Sequence, residues 1–278
     1  PRARPLPPRG GAGAAVIGRS NRTVRDLLLS IARVGLVAIG GLAVWEWVVW
    51  QFELPKALLP TPRQCVAAAI EERDALWRGA LSTGAAAISG LLAAILIGSV
   101  LAMLFSQSRK IRLAFFPYVI LLQTVPIVAI APLLIIWSGY TFRTVVIVTV
   151  IVCLFPIVNG VTTGLLAIDR DTSDLFRLYG AGRLKTLKSL QIPSAVSNLV
   201  LGAKTSAGLA VIGAIVAEFF VGNGTSYDGL GTLMTGWQAL TKTDALIAAL
   251  FASALLGLVL FGLVQLIAAT LLRRWVAT

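Results

Sequence analysis

"DLFRLYGAGRLKTLKSLQIP", residues 174–193, separates two long apolar stretches of the chain. It carries Asp174, Arg177, Arg183, Lys185 and Lys188, an internal Gly180 and a closing Pro193. Just upstream, Asp171, Thr172 and Ser173 lead into Asp174. Such residues satisfy the free N–H groups of a helix start, and acids suit its positive end. Leu175, Phe176, Leu178 and Tyr179 then present large apolar side chains, and Gly180 and Gly182 bend or break the helix. Arg183 to Leu190 predicts a second short helix, and Pro193 stands where the next apolar stretch opens. Large apolar side chains set among basic charges are costly to leave in water and mark a contact surface.

The surroundings of this segment are those of a membrane protein. Of 278 residues, 57% are hydrophobic and 13% charged, against about a quarter charged in a soluble domain. Six stretches reach the roughly 20 residues that a bilayer-crossing helix needs: about 28–50, 79–105, 114–138, 143–168, 194–221 and 244–272. Backbone groups in lipid must bond internally, and no barrel-like alternation is present, so an all-α, polytopic fold is expected. Residues 1–25, rich in Pro, Gly, Ala and Arg, read as a disordered basic tail, and 26–278 as one transmembrane domain. Within it, residues 61–78 read as an amphipathic helix on the outer surface, with Thr61 as cap and Pro62 at the first position.

The charge of +12 tests this topology. With the N-terminus inside, seventeen Lys and Arg fall on the cytoplasmic side and six on the outer side, with Lys204 inside a span. That asymmetry places both termini in the cytoplasm. It also accounts for the basic surplus without nucleic acid. Segment 169–193 then faces the cytoplasm, as a docking element for a cytosolic partner or as a loop resting on the inner lipid surface.

Several chemistries are excluded. The chain has no histidine, which removes the usual general base and zinc ligand, and Cys65 and Cys153 have no metal-site spacing. No paired carboxylates occur within the spans, so an intramembrane enzyme is not expected. The ionisable residues inside spans are Glu46, Lys204 and Glu218, and such residues need a reason. Glu46 sits in "WEWVVW" with Trp45, Trp47 and Trp50, an interfacial aromatic belt. Lys204 is read as snorkelling toward the inner surface. Glu218 is read as bonding backbone or other helices near an outer gate, or as touching solute. Gln123, Thr124, Asn159 and Thr163 are neutral polar residues that either line a path or bond neighbouring helices.

The opening segment resembles the cytoplasmic loop of permease subunits of ATP-binding-cassette importers, E-A-A-x-x-x-G-x9-I-x-L-P. Asp174, Leu175 and Phe176 stand at its E-A-A, Gly180 at its glycine, and Leu190, Ile192 and Pro193 at its close. "PIVAIAPLLIIWSG" at 126–139 is similar to a motif of the subgroup handling sulfonates, nitrate and pyrimidine precursors. "LPTP" at 59–62, "GAK" at 202–204, "AEFF" at 217–220 and "GLGTLM" at 229–234 match further segments of that subgroup in order.

The resemblance implies a type I importer permease fold in a bacterial inner membrane. It implies two ATPase subunits, a second permease copy forming a homodimer, an extracytoplasmic solute-binding protein and a small-molecule solute. Asp174, Leu175, Phe176, Arg177, Tyr179, Gly180 and Pro193 would then couple to the ATPase. Gln123, Thr124, Asn159, Thr163 and Glu218 would belong to the translocation path. No cofactor is expected in this chain; ATP and Mg would be bound by the partner ATPases. A second reading is an ion-coupled secondary transporter using Glu218 and Lys204. These two stand fourteen residues apart, about 21 Å along a helix, so they cannot pair within it.

Overall fold

The computed structural model describes residues 12–222 and 227–276, and every described regular element is helical. The chain divides into two compact units, Pro1–Arg63 and Gln64–Thr278.

The first unit holds α1 (Ala12–Gln51). It begins inside the stretch expected to be a disordered tail, at a run containing Ala12, Ala14 and Ala15, the strongest helix-forming residue type. Residues 1–11 of that tail lie outside the described residues. The part Ala32–Gln51 is long and apolar enough to cross a membrane. Near its end Trp47 and Trp50 are exposed, as a belt requires. Glu46 lines an open hollow with Trp50, Gln51 and Glu53.

The chain continues through α2 (Pro62–Glu71), with Pro62 at the first position as predicted, and α3 (Arg73–Gln107). The single helix expected over 61–78 is therefore two elements, because Arg73 to Arg78 already belong to α3. Val66, Ile70 and Trp77 stay uncovered, whereas Leu76 is buried. After these come α4 (Arg109–Thr124), α5 (Ile127–Ser138), α6 (Phe142–Leu166), α7 (Arg170–Leu178) and α8 (Arg183–Thr186). A π-helical turn, Leu187–Gln191, leads into α9 (Ile192–Val221), and α10 (Leu230–Ala239) and α11 (Thr243–Val276) complete the chain.

Close approaches give the directions of the long helices. Gly90 of α3 backs onto Thr149 of α6, and Gly98 onto Ile157, so the two helices run parallel. Gly164 of α6 meets Ala195 of α9, whereas Thr149 meets Gly213, so α6 and α9 run antiparallel. The chain between two parallel helices must travel back. Hence α4 and α5, bent by 101° where they join, cross once as a single broken span. The break has a local cause: Pro126 offers no N–H, and Val125 before it is extended, with φ −71° and ψ 127°. Five unbroken candidate spans and this broken one make six.

α9 is the central helix, packed against α3, α5, α6, α10 and α11. Ala86, Ala87 and Ala94 of α3 and Ala207, Ala210 and Ala214 of α9 are all fully buried there. Lipid gives no hydrophobic drive for helices to associate, so small residues that let backbones close in supply the packing.

Candidate functional site

Three features lie on or beside α9. The first is the hairpin before it. α7 ends in a Schellman motif: Gly180 N–H donates to Arg177 O at 2.9 Å and Ala181 N–H to Phe176 O at 3.0 Å. Gly180 takes φ +69°, a left-handed value that glycine adopts without penalty. The chain reverses there and re-enters helix at Arg183. Leu178 and Tyr179 at the tip are 84% and 82% exposed, Leu175 and Leu184 are exposed as well, and Phe176 is half-buried. The Asp174–Arg177 pair spans 3.8 Å between two exposed side chains, so its contribution is small. Pro193 occupies the first turn of α9, as its place in the sequence predicts. Gln107 at the end of α3 donates its amide to Gln191 at 2.9 Å, tying the base of the hairpin to the bundle.

The second feature lies at the opposite end of α9, twenty-seven residues from Gln191, or roughly 40 Å of helix. Glu218 is fully buried. Its carboxylate accepts from the Thr83 hydroxyl at 2.9 Å to each oxygen, from the Tyr227 phenol at 3.0 Å and from the Gly231 N–H at 2.9 Å. Thr83 in turn accepts the Leu230 N–H at 2.9 Å. Leu230 and Gly231 open α10, so their amides are free donors at a positive helix end, and Glu218 with Thr83 supplies the missing acceptors. Gly229 and Gly231 permit this approach: a Cβ at Gly229 would overlap the Glu218 carboxylate, and one at Gly231 would lie 2.5 Å from Ile215 O. Burial, then the Glu218 charge, pushes the Tyr227 phenol above its ordinary value of 10.0, which keeps it a donor. Behind this clamp Leu230, Met234 and Trp237 pack on Leu76, Ala245 and Ala249. Lys242, just past α10, reaches Glu72 at 3.0 Å.

The third feature is a polar strip. On α6 Asn159 and Thr163 are exposed, and on α9 Ser194, Ser197, Leu201, Thr205 and Ile212 are exposed at helical spacing. The contact between the two helices runs through Gly160, Gly164, Asn198 and Gly202. α3 packs on both helices from the other side. The exposed rows therefore flank one common groove, with half-buried Asn198 at its floor.

The five residues grouped in the sequence as a path do not form one site. Asn159 and Thr163 border the groove. Gln123 and Thr124 are exposed at the α4–α5 break, with the Thr124 hydroxyl donating to Leu121 O at 3.0 Å. Glu218 lies apart from these, buried, with its carboxylate oxygens bonded by Thr83, Tyr227 and Gly231. Asn198 and Thr205, which sequence reasoning missed, stand beside Asn159 and Thr163 along the groove.

The second unit holds a bundle of five candidate spans, one of them broken, with a clamp at one end and an apolar-tipped hairpin at the other, the build of a polytopic helical membrane protein. The chain belongs to the family described as binding-protein-dependent transport system inner membrane component, whose model matches residues 94–275. It is 30% identical over 225 residues to the formylaminopyrimidine transport permease protein ThiX of Halalkalibacterium halodurans, covering 81% of this chain and 88% of that protein. It is 30% identical over 239 residues to the riboflavin transport system permease protein RibX of Chloroflexus aurantiacus, covering 85% and 87%. Identity is 25% over 238 residues to a putative aliphatic sulfonates transport permease protein, SsuC, of Bacillus subtilis, covering 84% and 83%.

The chain is thus a multi-pass permease subunit of an ATP-binding-cassette importer, of the sulfonate and pyrimidine subgroup, and the ATPase of such a system is a separate subunit. Nothing favours the ion-coupled reading. Glu218 is occupied by its donors, and Lys204 stands fourteen residues away from it.

Proposed function

We propose that the hairpin of α7 and α8 receives the ATPase subunit and that the α6–α9 groove is half of the solute path. The exposed Leu178 and Tyr179 at a rigid Schellman turn carry the first part. An apolar tip on a stiff stalk is suited to a pocket in a partner, and the π-helical turn joins that stalk to α9 without a break. ATP-driven movement of the partner then acts on α9, the helix that contacts most of the bundle. On this reading ATP and Mg are bound by the ATPases.

The second part rests on the groove's polarity. Asn159 and Thr163 are uncovered within a membrane span, where lipid offers polar side chains no partners, while the Thr205 hydroxyl donates to Gly202 O at 2.9 Å. A second copy related by twofold symmetry would set an identical row opposite and enclose a polar channel. We therefore read the unit as a homodimer with two ATPases at the hairpin end and a solute-binding protein at the clamp end. Both termini lie on the ATPase side of a bacterial inner membrane.

The test is purification of the full chain from membranes with its ATPase. Leu178→Asp with Tyr179→Asp changes two side chains that touch almost nothing within this chain. The wild type should bring the ATPase with it, and the double variant should insert normally yet lose it. ATPase retained at the wild-type ratio would overturn the docking role.

A further inference from the structure

The joint between α4 and α5 stands at mid-membrane. Leu122 of α4 packs on the buried cluster that includes Leu154 and Val158 of α6. Thr124, the last residue of α4, is two positions further on, about 3 Å along the axis. From the other side, α5 is held to α6 by the Ser138 and Thr144 hydroxyls, 2.8 Å apart. Its twelve residues reach at most about 18 Å back along α6. Both limits put the break near Leu154, the central residue of α6, which has twelve residues of helix on either side. Each arm is about 18 Å long, against roughly 15 Å from the middle of a hydrocarbon layer to its edge.

The backbone there is unpaired. Among the described residues the N–H groups of Ile127 and Val128 have no acceptor, and the carbonyls of Leu122, Gln123 and Thr124 have no donor. The Thr124 hydroxyl bonds only back onto its own helix, at Leu121 O. Gln123, Thr124, Val125 and Pro126 are all exposed, so their own unit leaves the gap open. The gap also continues the groove. At about 100° per residue, Val145 and Thr163 share one side of α6, and Val148 and Asn159 differ by only about 20°. Val145 and Val148 are buried in one cluster with Leu134 and Ile135 of α5, whereas Asn159 and Thr163 are uncovered. The break falls where that cover ends.

Lipid can bond none of these groups, and irregular backbone at this depth persists only inside protein or against water. The apolar side of a second copy's helix would leave them as unpaired as lipid does. We propose that the α4–α5 break is a wet station of the solute path at mid-membrane, where the backbone donors of α5 and the backbone acceptors of α4 stand together and bond water and the polar groups of a passing solute. This rests on the path reading above. The chain carries no charged residue between Arg112 and Arg143, so the station offers neutral dipoles. It holds a solute by hydrogen bonds, which water replaces as the solute moves on.

The test uses the full chain with its ATPase in lipid nanodiscs, where a water-soluble methanethiosulfonate reagent reaches both faces. The parent chain with its buried Cys65 and Cys153 sets the baseline. Only a thiol in contact with water ionises and reacts, so Thr124→Cys should be modified on the order of a hundredfold faster than Leu258→Cys. Leu258 is an exposed position in the middle of the apolar α11. Trapping the ATPase with vanadate should change the Thr124→Cys rate several-fold, as alternating access requires of a path wall. Thr124→Cys as slow as Leu258→Cys, while Asn159→Cys reacts, would overturn the station and leave the path standing. A Thr124→Cys rate untouched by vanadate, while that of Asn159→Cys changes, would make the break a static crevice and overturn it equally. Thr124→Cys and Asn159→Cys both inert, while Lys110→Cys at the start of α4 reacts, would remove the path reading and the station with it.

Discussion

The Thr83 hydroxyl lies 2.9 Å from each oxygen of the Glu218 carboxylate, although 135 residues separate them in the chain. This contact joins the first turns of α3 to the last turn of α9, and through Leu230 and Gly231 it also holds the start of α10. Its consequences can be measured.

Glu218→Ala should leave the Thr83 hydroxyl and the Gly231 N–H buried without their acceptor. The cost should be about 3 kcal/mol, the scale of a lost hydrogen bond to a charged group, read as a lower unfolding midpoint of the purified complex. Glu218→Gln keeps the shape but turns one donor toward other donors, so it should fall between wild type and alanine. An alanine variant as stable as wild type would mean that the clamp does not hold the outer helices.

Glycine substitutions in α10 and just before it should separate by position. Gly229→Ala and Gly231→Ala push a methyl into Glu218 or Ile215 and should cost about 1–3 kcal/mol, as overpacking does. Gly236→Ala meets nothing within 4 Å of the added carbon and should be neutral or stabilise by about 0.5 kcal/mol. Thermal scans of the three variants side by side check the ordering.

The clamp should loosen in alkali. Tyr227 in the folded protein holds its proton above its ordinary value of 10.0, so the folded state binds more protons than the unfolded one at high pH. Its contribution is therefore complete below that value and is lost as pH rises beyond it. Tyr227→Phe should flatten the fall in stability above pH 10 seen with the wild type. An unchanged alkaline slope would show that this phenol is not the group responsible.

Gly180→Val tests the hairpin without adding a clash, because nothing lies within 4 Å of a Cβ there. Its cost is confined to φ +69°, a region that a β-branched residue strongly avoids. Basal ATPase activity of the complex should persist while stimulation by the solute-loaded binding protein falls. Full stimulation would show that the turn geometry does not matter for coupling.

Much of this architecture was legible in the sequence because its causes are local. Apolar runs of sufficient length gave the spans, and Gly180 with Pro193 framed the hairpin. The clamp was only half legible. "AEFF" and "GLGTLM" could be picked out, but the link between them needs Thr83, an ordinary threonine in a remote helix. The groove was likewise partial, because Asn159 and Thr163 announce themselves on an apolar span, while the role of Asn198 depends on which face of α9 meets α6. Partners distant along the chain leave no periodic signal, and their positions follow only from packing.

The wide turn at Leu187–Gln191 closes with the Ile192 N–H on Leu187 O, five residues back. It accommodates one residue more than an ordinary helical turn, and an ordinary residue step is about 100° of rotation. The compass bearing of the hairpin is thus encoded in a residue count. A chain shorter by one position there would keep its shaft intact yet aim Leu178 and Tyr179 at a different quarter of the horizon.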